Sequence, residues 1–108
     1  MKEDKRLKLL LAWLLEGSRG GATRARIMLE LKDNPSNPNQ LSRRLGLNYR
    51  TIIHHLEVLE RHGLVERIGS GYGAPYTLSD LALENWDVIF EVACRVLGDG
   101  ECSRSGTY

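Results

Sequence analysis

Cysteine is scarce in this chain: Cys94 and Cys102 are the only two in 108 residues. They make no C-x-x-C pair and are too few for a disulfide framework, which excludes a cystine-stapled scaffold. Proline is sparse as well, with three residues, and a composition of 42% hydrophobic and 27% charged residues excludes wholesale disorder. Long apolar runs are missing. The stretch from Leu7 to Leu15 is interrupted by Lys8 and closed by Glu16, far short of the roughly 20 residues that span a bilayer. No signal-peptide pattern is seen, so a cytoplasmic location is expected. The length allows one domain with one core.

Acid is absent from one defined stretch. Between Asn34 and Leu56 there are three arginines, two histidines and no Asp or Glu, whereas Ser79 to Leu97 carries four acids against Arg95 alone. The net charge of +1 conceals this asymmetry, and a nearly neutral chain with an acid-free segment can still offer phosphate a basic face.

The hydrophobic period is helical at both ends. Leu7, Leu10, Leu11 and Leu14 fall at i, i+3, i+4, i+7, with Leu9, Trp13 and Leu15 outside that stripe. A helix over residues 4–16 that is apolar nearly all round needs cover on more than one side, which points to a partner subunit. Gly17 is an expected helix stop and Thr23 an expected N-cap for a second helix that buries Ile27, Met28 and Leu31. Pro35 and Pro38 forbid its continuation. Residues 80–97 form a last helix capped by Ser79. Its Asp80, Glu84, Asp87 and Glu91 make an acidic stripe, opposite a wide arc of Ala82, Trp86, Ile89, Phe90, Ala93 and Leu97 with Leu81, Val88 and Val92 on the flank. The remainder, 98–108, has no apolar period and reads as a flexible tail.

Between these ends lies "NQLSRRLGLNYRTIIHHLEVLERHG". Leu41 and Leu45 share a face of a short helix, Gly46 breaks it, and Asn48 can cap the next one. Two helices joined by a short glycine-containing turn, over residues 39–62, are the sequence form of a helix-turn-helix. After Gly63 the period changes to alternation: "LVERI" and "PYTLS" flank "GSGYGA", which predicts a β-hairpin over residues 64–79. The expected fold class is therefore mainly α with a small β-hairpin, in a single domain over residues 1–97.

The string "TIIHHLEVLERHGLV", followed by "RIGSGYGAPYTLS", resembles the recognition helix and wing of the ArsR-like winged helix-turn-helix transcriptional regulators of bacteria and archaea. The resemblance spans roughly Ala22 to Leu83. It implies sequence-specific binding of double-stranded DNA by a homodimer, with repression the commoner outcome, and end helices that serve dimerisation. Metal-responsive members carry cysteines near the helix before the recognition helix; this chain has "PNQLSRR" there, without thiol or histidine.

The residues support the same reading. Ile52, Leu56 and Leu59 lie in one arc that should pack on Leu41 and Leu45. The opposite arc carries Arg50, Ile53, His54 and Glu57, with Asn48 and Tyr49 at the first turn. A recognition helix presents such a face to base edges in the major groove. Arg50 suits a bidentate contact to guanine, and Ile53 a thymine methyl. His54 and Tyr49 can reach a base or a phosphate. Arg43, Arg44, Thr23, Arg67, Ser70 and Tyr72 are candidate backbone contacts, which position a domain without reading sequence. The expected dimer interface comprises Leu9, Trp13, Leu81, Trp86, Ile89, Phe90, Val92 and Ala93.

Other chemistries fit poorly. His54 and His55 are helix neighbours pointing about 100° apart and cannot chelate one ion together, while His62 lies two turns from His55. No metal or other cofactor is expected. Cys94 reads as a small packed residue, and nothing beside Cys102 lowers its pKa. No nucleophile has a helix-adjacent base and no phosphate loop is present, so an enzyme is not expected. Two alternatives remain at the level of sequence. One is a winged-helix module for protein contact. The other is a weakly specific DNA-coating protein, against which the modest net charge argues. The operator and any small-molecule effector cannot be read from the sequence.

Overall fold

The computed structural model describes residues 5–98. Helix α1 (Lys5–Leu11) runs without a break into a π-helical segment (Ala12–Gly17), which is followed by α2 (Gly21–Asp33), α3 (Pro38–Leu45) and α4 (Tyr49–Arg61). Strands β1 (Val65–Arg67) and β2 (Tyr76–Leu78) come next, then α5 (Asp80–Glu84) and α6 (Trp86–Leu97). No helix of the described residues is long and apolar enough to cross a membrane.

The apolar stripe of the first helix is wider than its spacing indicates. Leu7, Leu11 and Leu14 are buried as expected, but so is Leu15, at 1% exposed. The switch from i→i+4 to i→i+5 bonding widens the turn, and adjacent leucines can then both face inward. Leu9 and Trp13 stay outside, 72% and 55% exposed.

Helix α2 is the central support, packing on the π-helical segment, α6, α4 and β2. It begins three residues earlier than the sequence indicates. The N-cap is Gly20, in the left-handed region at φ 88°, and Thr23 lies inside the first turn without capping. The helix ends at Asp33, ahead of Pro35.

A reciprocal capping box starts α3: Gln40 N–H donates to Asn37 Oδ1 and Asn37 N–H to Gln40 Oε1, both at 2.8 Å, with Pro38 preset in the first turn. Gly46 ends it at φ 67° and ψ 35°, a conformation in which a side chain would be strained. Two residues later Asn48 caps α4, accepting from the Arg50 N–H at 2.8 Å. Between α3 and α4 the joint is dry: Leu41, Ile52, Leu56 and Leu59 are all fully buried, with Leu45 partly so.

The hairpin is antiparallel, with Val65 opposite Leu78 and Arg67 opposite Tyr76. A third segment joins it. Ser36, from the proline-flanked loop between α2 and α3, bridges Tyr76 through bonds of 3.0 and 2.8 Å. This bridge pins the start of the helix-turn-helix to the loop-side end of β2.

The last helix is interrupted rather than continuous. At Asn85 the backbone leaves helical geometry (φ −116°, ψ 25°), and its side-chain amide donates to the Leu81 carbonyl at 2.9 Å. Such local side-chain bonding competes with the helical ladder. Ile89 and Ala93 are fully buried and Val92 is 6% exposed, so the inner face of α6 belongs to this chain's own core. A bidentate pair from Arg95 to Glu16, closest at 2.8 Å, fastens α6 to the π-helical segment. Cys94 is half-buried and is not a free thiol; Cys102 and the expected tail lie outside the described residues.

Candidate nucleic-acid interface

Helix α4 has two unlike faces. One supplies Ile52, Leu56 and Leu59 to the core. The other presents Tyr49, Arg50, Ile53, His54 and Glu57, which together line a shallow, open depression of about 500 Å³. Arg50 and His54 are exposed, Tyr49 and Ile53 half-buried. The side-chain oxygen of Asn48 accepts the cap bond, and its amide N–H groups face outside contacts without a cap role.

The remaining expected contacts sit on separate elements, and none lines this depression. Arg43 is exposed on α3. Arg44 is also exposed on α3, where it pairs with Glu30 at 3.0 Å and donates to Ser36 Oγ at 2.8 Å, bracing α3 against α2 and the loop that carries Ser36. Thr23 is half-buried in the first turn of α2. Arg67 lies on β1, while Ser70 and Tyr72 project from the glycine-rich hairpin tip, Tyr72 being 90% exposed.

The residues expected at a dimer interface divide into two groups. Leu9, Trp13 and Leu81 are exposed apolar side chains. Trp86 and Phe90 are half-buried, their ring centroids 6.4 Å apart, and Lys32 Nζ lies 5.7 Å from the Trp86 ring centre. Ile89, Val92 and Ala93 are covered by this chain itself and are not available to a partner.

His55 of α4 reads from the sequence as a residue on the core side near Leu59, but its partner does not. Arg24 on α2 is 3% exposed, and its guanidinium donates to the Leu14 carbonyl at 3.1 Å, the Arg19 carbonyl at 3.2 Å, Ser18 Oγ, and His55 Nδ1 at 3.0 Å. Arginine can only donate, so Nδ1 accepts and the neutral ring carries its proton on Nε2. Burial first, then the charges of Arg24 and His54, push the His55 pKa down to about 4. Burial also lowers the pKa of Arg24. The sequence carried a signal for this pair: Arg24, Ile27, Met28 and Leu31 fall at i, i+3, i+4, i+7, which puts the arginine on the buried stripe.

A helix-turn-helix with an outward polar face on its second helix, a hairpin behind it and helices at both ends defines a winged-helix protein. The sequence pattern of the methanogenesis regulatory protein FilR1, N-terminal domain, matches residues 15–81, and the chain belongs to that family. No curated protein matches it. Among solved structures it is similar to HlyU from Vibrio cholerae N16961, at 25% identity and a TM-score of 0.61 over 86% of this chain and 99% of HlyU. A probable transcriptional regulator from Pseudomonas aeruginosa shares the fold at 22% identity and a TM-score of 0.57, covering 92% of this chain and 83% of that one. So does FabT from Streptococcus pneumoniae, solved in complex with DNA, at 19% identity and a TM-score of 0.51 over 92% and 79% of the two chains.

Proposed function

We propose that this chain binds double-stranded DNA sequence-specifically as a homodimer in the cytoplasm and represses transcription. The observation that carries the reading is the outward arc of α4, where Arg50, Ile53 and His54 meet at one depression while the other side of the same helix is locked into the core. These side chains suit, in turn, a guanine edge, a thymine methyl, and a base or phosphate oxygen. Membership in a family of regulatory domains and likeness to a probable transcriptional regulator support it. So does the complex of FabT, which has this fold, with DNA. The narrower ArsR-like grouping belongs to the same proposal and rests on the α4 and hairpin sequence.

The second copy would meet the exposed Leu9 and Trp13 of the first helical stretch and Leu81 of α5, with Trp86 and Phe90 at the margin. Two recognition helices then address successive major grooves about 34 Å apart on a pseudo-palindromic site. Selection of bound sequences from a random duplex library, with analytical ultracentrifugation at micromolar protein, tests both halves. An enriched palindrome and a dimer are expected. No enrichment removes the specific binding, and a monomer removes the homodimer.

A further inference from the structure

The acid-free stretch from Asn34 ends at Leu56, and the first acid after it is Glu57. That carboxylate does not turn away from the basic face. It is exposed on the outward arc of α4 and lines the same depression as Arg50 and His54. Among the described residues no ion pair engages it. Its influence is felt at the Tyr76 phenol, whose pKa is raised by burial first, then by Glu60, with Glu57 adding to the rise and Arg67 opposing it.

A carboxylate is a poor neighbour for a phosphate. Like charges repel, so an acid here lowers affinity for every DNA sequence alike. The same group is a good acceptor for one base edge in the major groove, the N4 amino group of cytosine. Position supports that role. Arg50, Ile53, His54 and Glu57 stand at i, i+3, i+4, i+7, a spacing by which a recognition helix lying in the groove presents side chains to bases. Seven residues of helix advance about 10.5 Å, or about three base-pair steps of 3.4 Å each.

We propose that Glu57 is a specificity-determining residue that accepts a hydrogen bond from cytosine about three base pairs from the guanine met by Arg50, and that discourages binding to other sequences. The assignment rests on the DNA-binding reading above. Glu57 is chosen by neither the core nor a salt bridge, and its charge is spent on discrimination instead.

Binding sites selected from a random duplex library by wild type, Glu57→Gln and Glu57→Ala test it, with affinities for the selected site and for random DNA measured across salt. Wild type is expected to prefer cytosine at one position by about fivefold or more. Glu57→Gln is expected to move that preference toward adenine, whose N6 and N7 match a carboxamide. Glu57→Ala is expected to lose the preference there alone and to bind random DNA more tightly at low salt. Both variants should melt close to wild type, because the side chain is exposed. If wild type enriches a site and Glu57→Ala enriches the same base at every position, the assignment falls while DNA binding stands. If wild type enriches nothing, both fall together.

Discussion

The Arg24 guanidinium on α2 donates to His55 Nδ1 on α4 across 3.0 Å, and both side chains are buried. Arg24 also holds the carbonyls of Leu14 and Arg19, so one cation ties the end of the π-helical segment and the following loop to the helix that carries Arg50 and His54. The outward face of α4 is thus oriented from behind by a polar contact as well as by leucines. The Arg19 carbonyl and the imidazole nitrogen take their donor from it, and the Leu14 carbonyl shares it with Ser18 Oγ.

This pairing makes stability depend on pH. The folded-state pKa of His55 is held at about 4, against 6.5 for the free side chain, because burial and two positive neighbours disfavour its cation. Between those values the unfolded chain takes up a proton that the folded chain refuses. The contribution is therefore complete above pH 6.5 and is lost as pH falls toward 4. About 1 to 3 kcal/mol should disappear over that window. Urea unfolding at pH 7.5 and pH 4.5 measures the loss, and His55→Gln, which keeps an acceptor without a titrating ring, should show less of it. An equal loss in both proteins would assign the effect to other groups.

Removing the cation has two consequences with different readouts. Arg24→Met leaves the Arg19 carbonyl and His55 Nδ1 without this donor and the Leu14 carbonyl with Ser18 Oγ in its place, and should cost about 2 to 4 kcal/mol of stability. It also takes away a positive charge beside the imidazole, so the His55 pKa should rise. The rise should stop short of 6.5, because burial is the larger cause of the depression. An NMR titration of the His55 ring in Arg24→Met reads this directly, and an unchanged pKa would contradict the contact.

Gly20 guards the same contact. Its φ of 88° is in the left-handed region, and a Cβ there would stand 2.5 Å from His55 Cε1. Gly20→Ala should therefore destabilise by about 1 to 3 kcal/mol through backbone strain, with displacement of the imidazole in addition. Thermal melting of this variant beside Gly17→Ala, where a Cβ meets nothing closer than 3.6 Å and φ is not positive, isolates the effect. Equal melting points would show that the loop simply gives way.

Much of this architecture was legible because it rests on local rules. Gly46 and Asn48 mark the turn, Leu41, Ile52, Leu56 and Leu59 mark the joint, and the alternation around "GSGYGA" marks the hairpin. What escaped was set by tertiary contact. Leu15 enters the core only because the helix widens, Ser36 becomes a bridge only because Tyr76 lies beside it, and Arg44 meets Glu30 only because α3 packs on α2. Ile89 and Ala93 illustrate the opposite error. An apolar arc broader than one stripe was assigned to a partner, but α2 covers it within the chain. The face of α4 was readable because an exposed polar arc opposite an apolar one needs only the helical period.

On the proposed function, Arg50 and Arg67 would separate reading from holding. Arg50 lines the depression on α4, where, on the proposed function, a bidentate bond to guanine would distinguish one base pair by about 1 to 3 kcal/mol. Arg67 is exposed on β1 beside Tyr76, where the partner it would take on the same reading is a phosphate, which every sequence offers. Arg50→Ala should weaken binding to the selected site more than to random DNA, narrowing the ratio between them by roughly fivefold to a hundredfold. Arg67→Ala should weaken both alike and reduce the slope of log affinity against log salt by about one. Titrations at several salt concentrations on both kinds of duplex give the ratio and the slope from one data set. Neither variant differing from wild type would remove α4 and the hairpin from the DNA-binding surface.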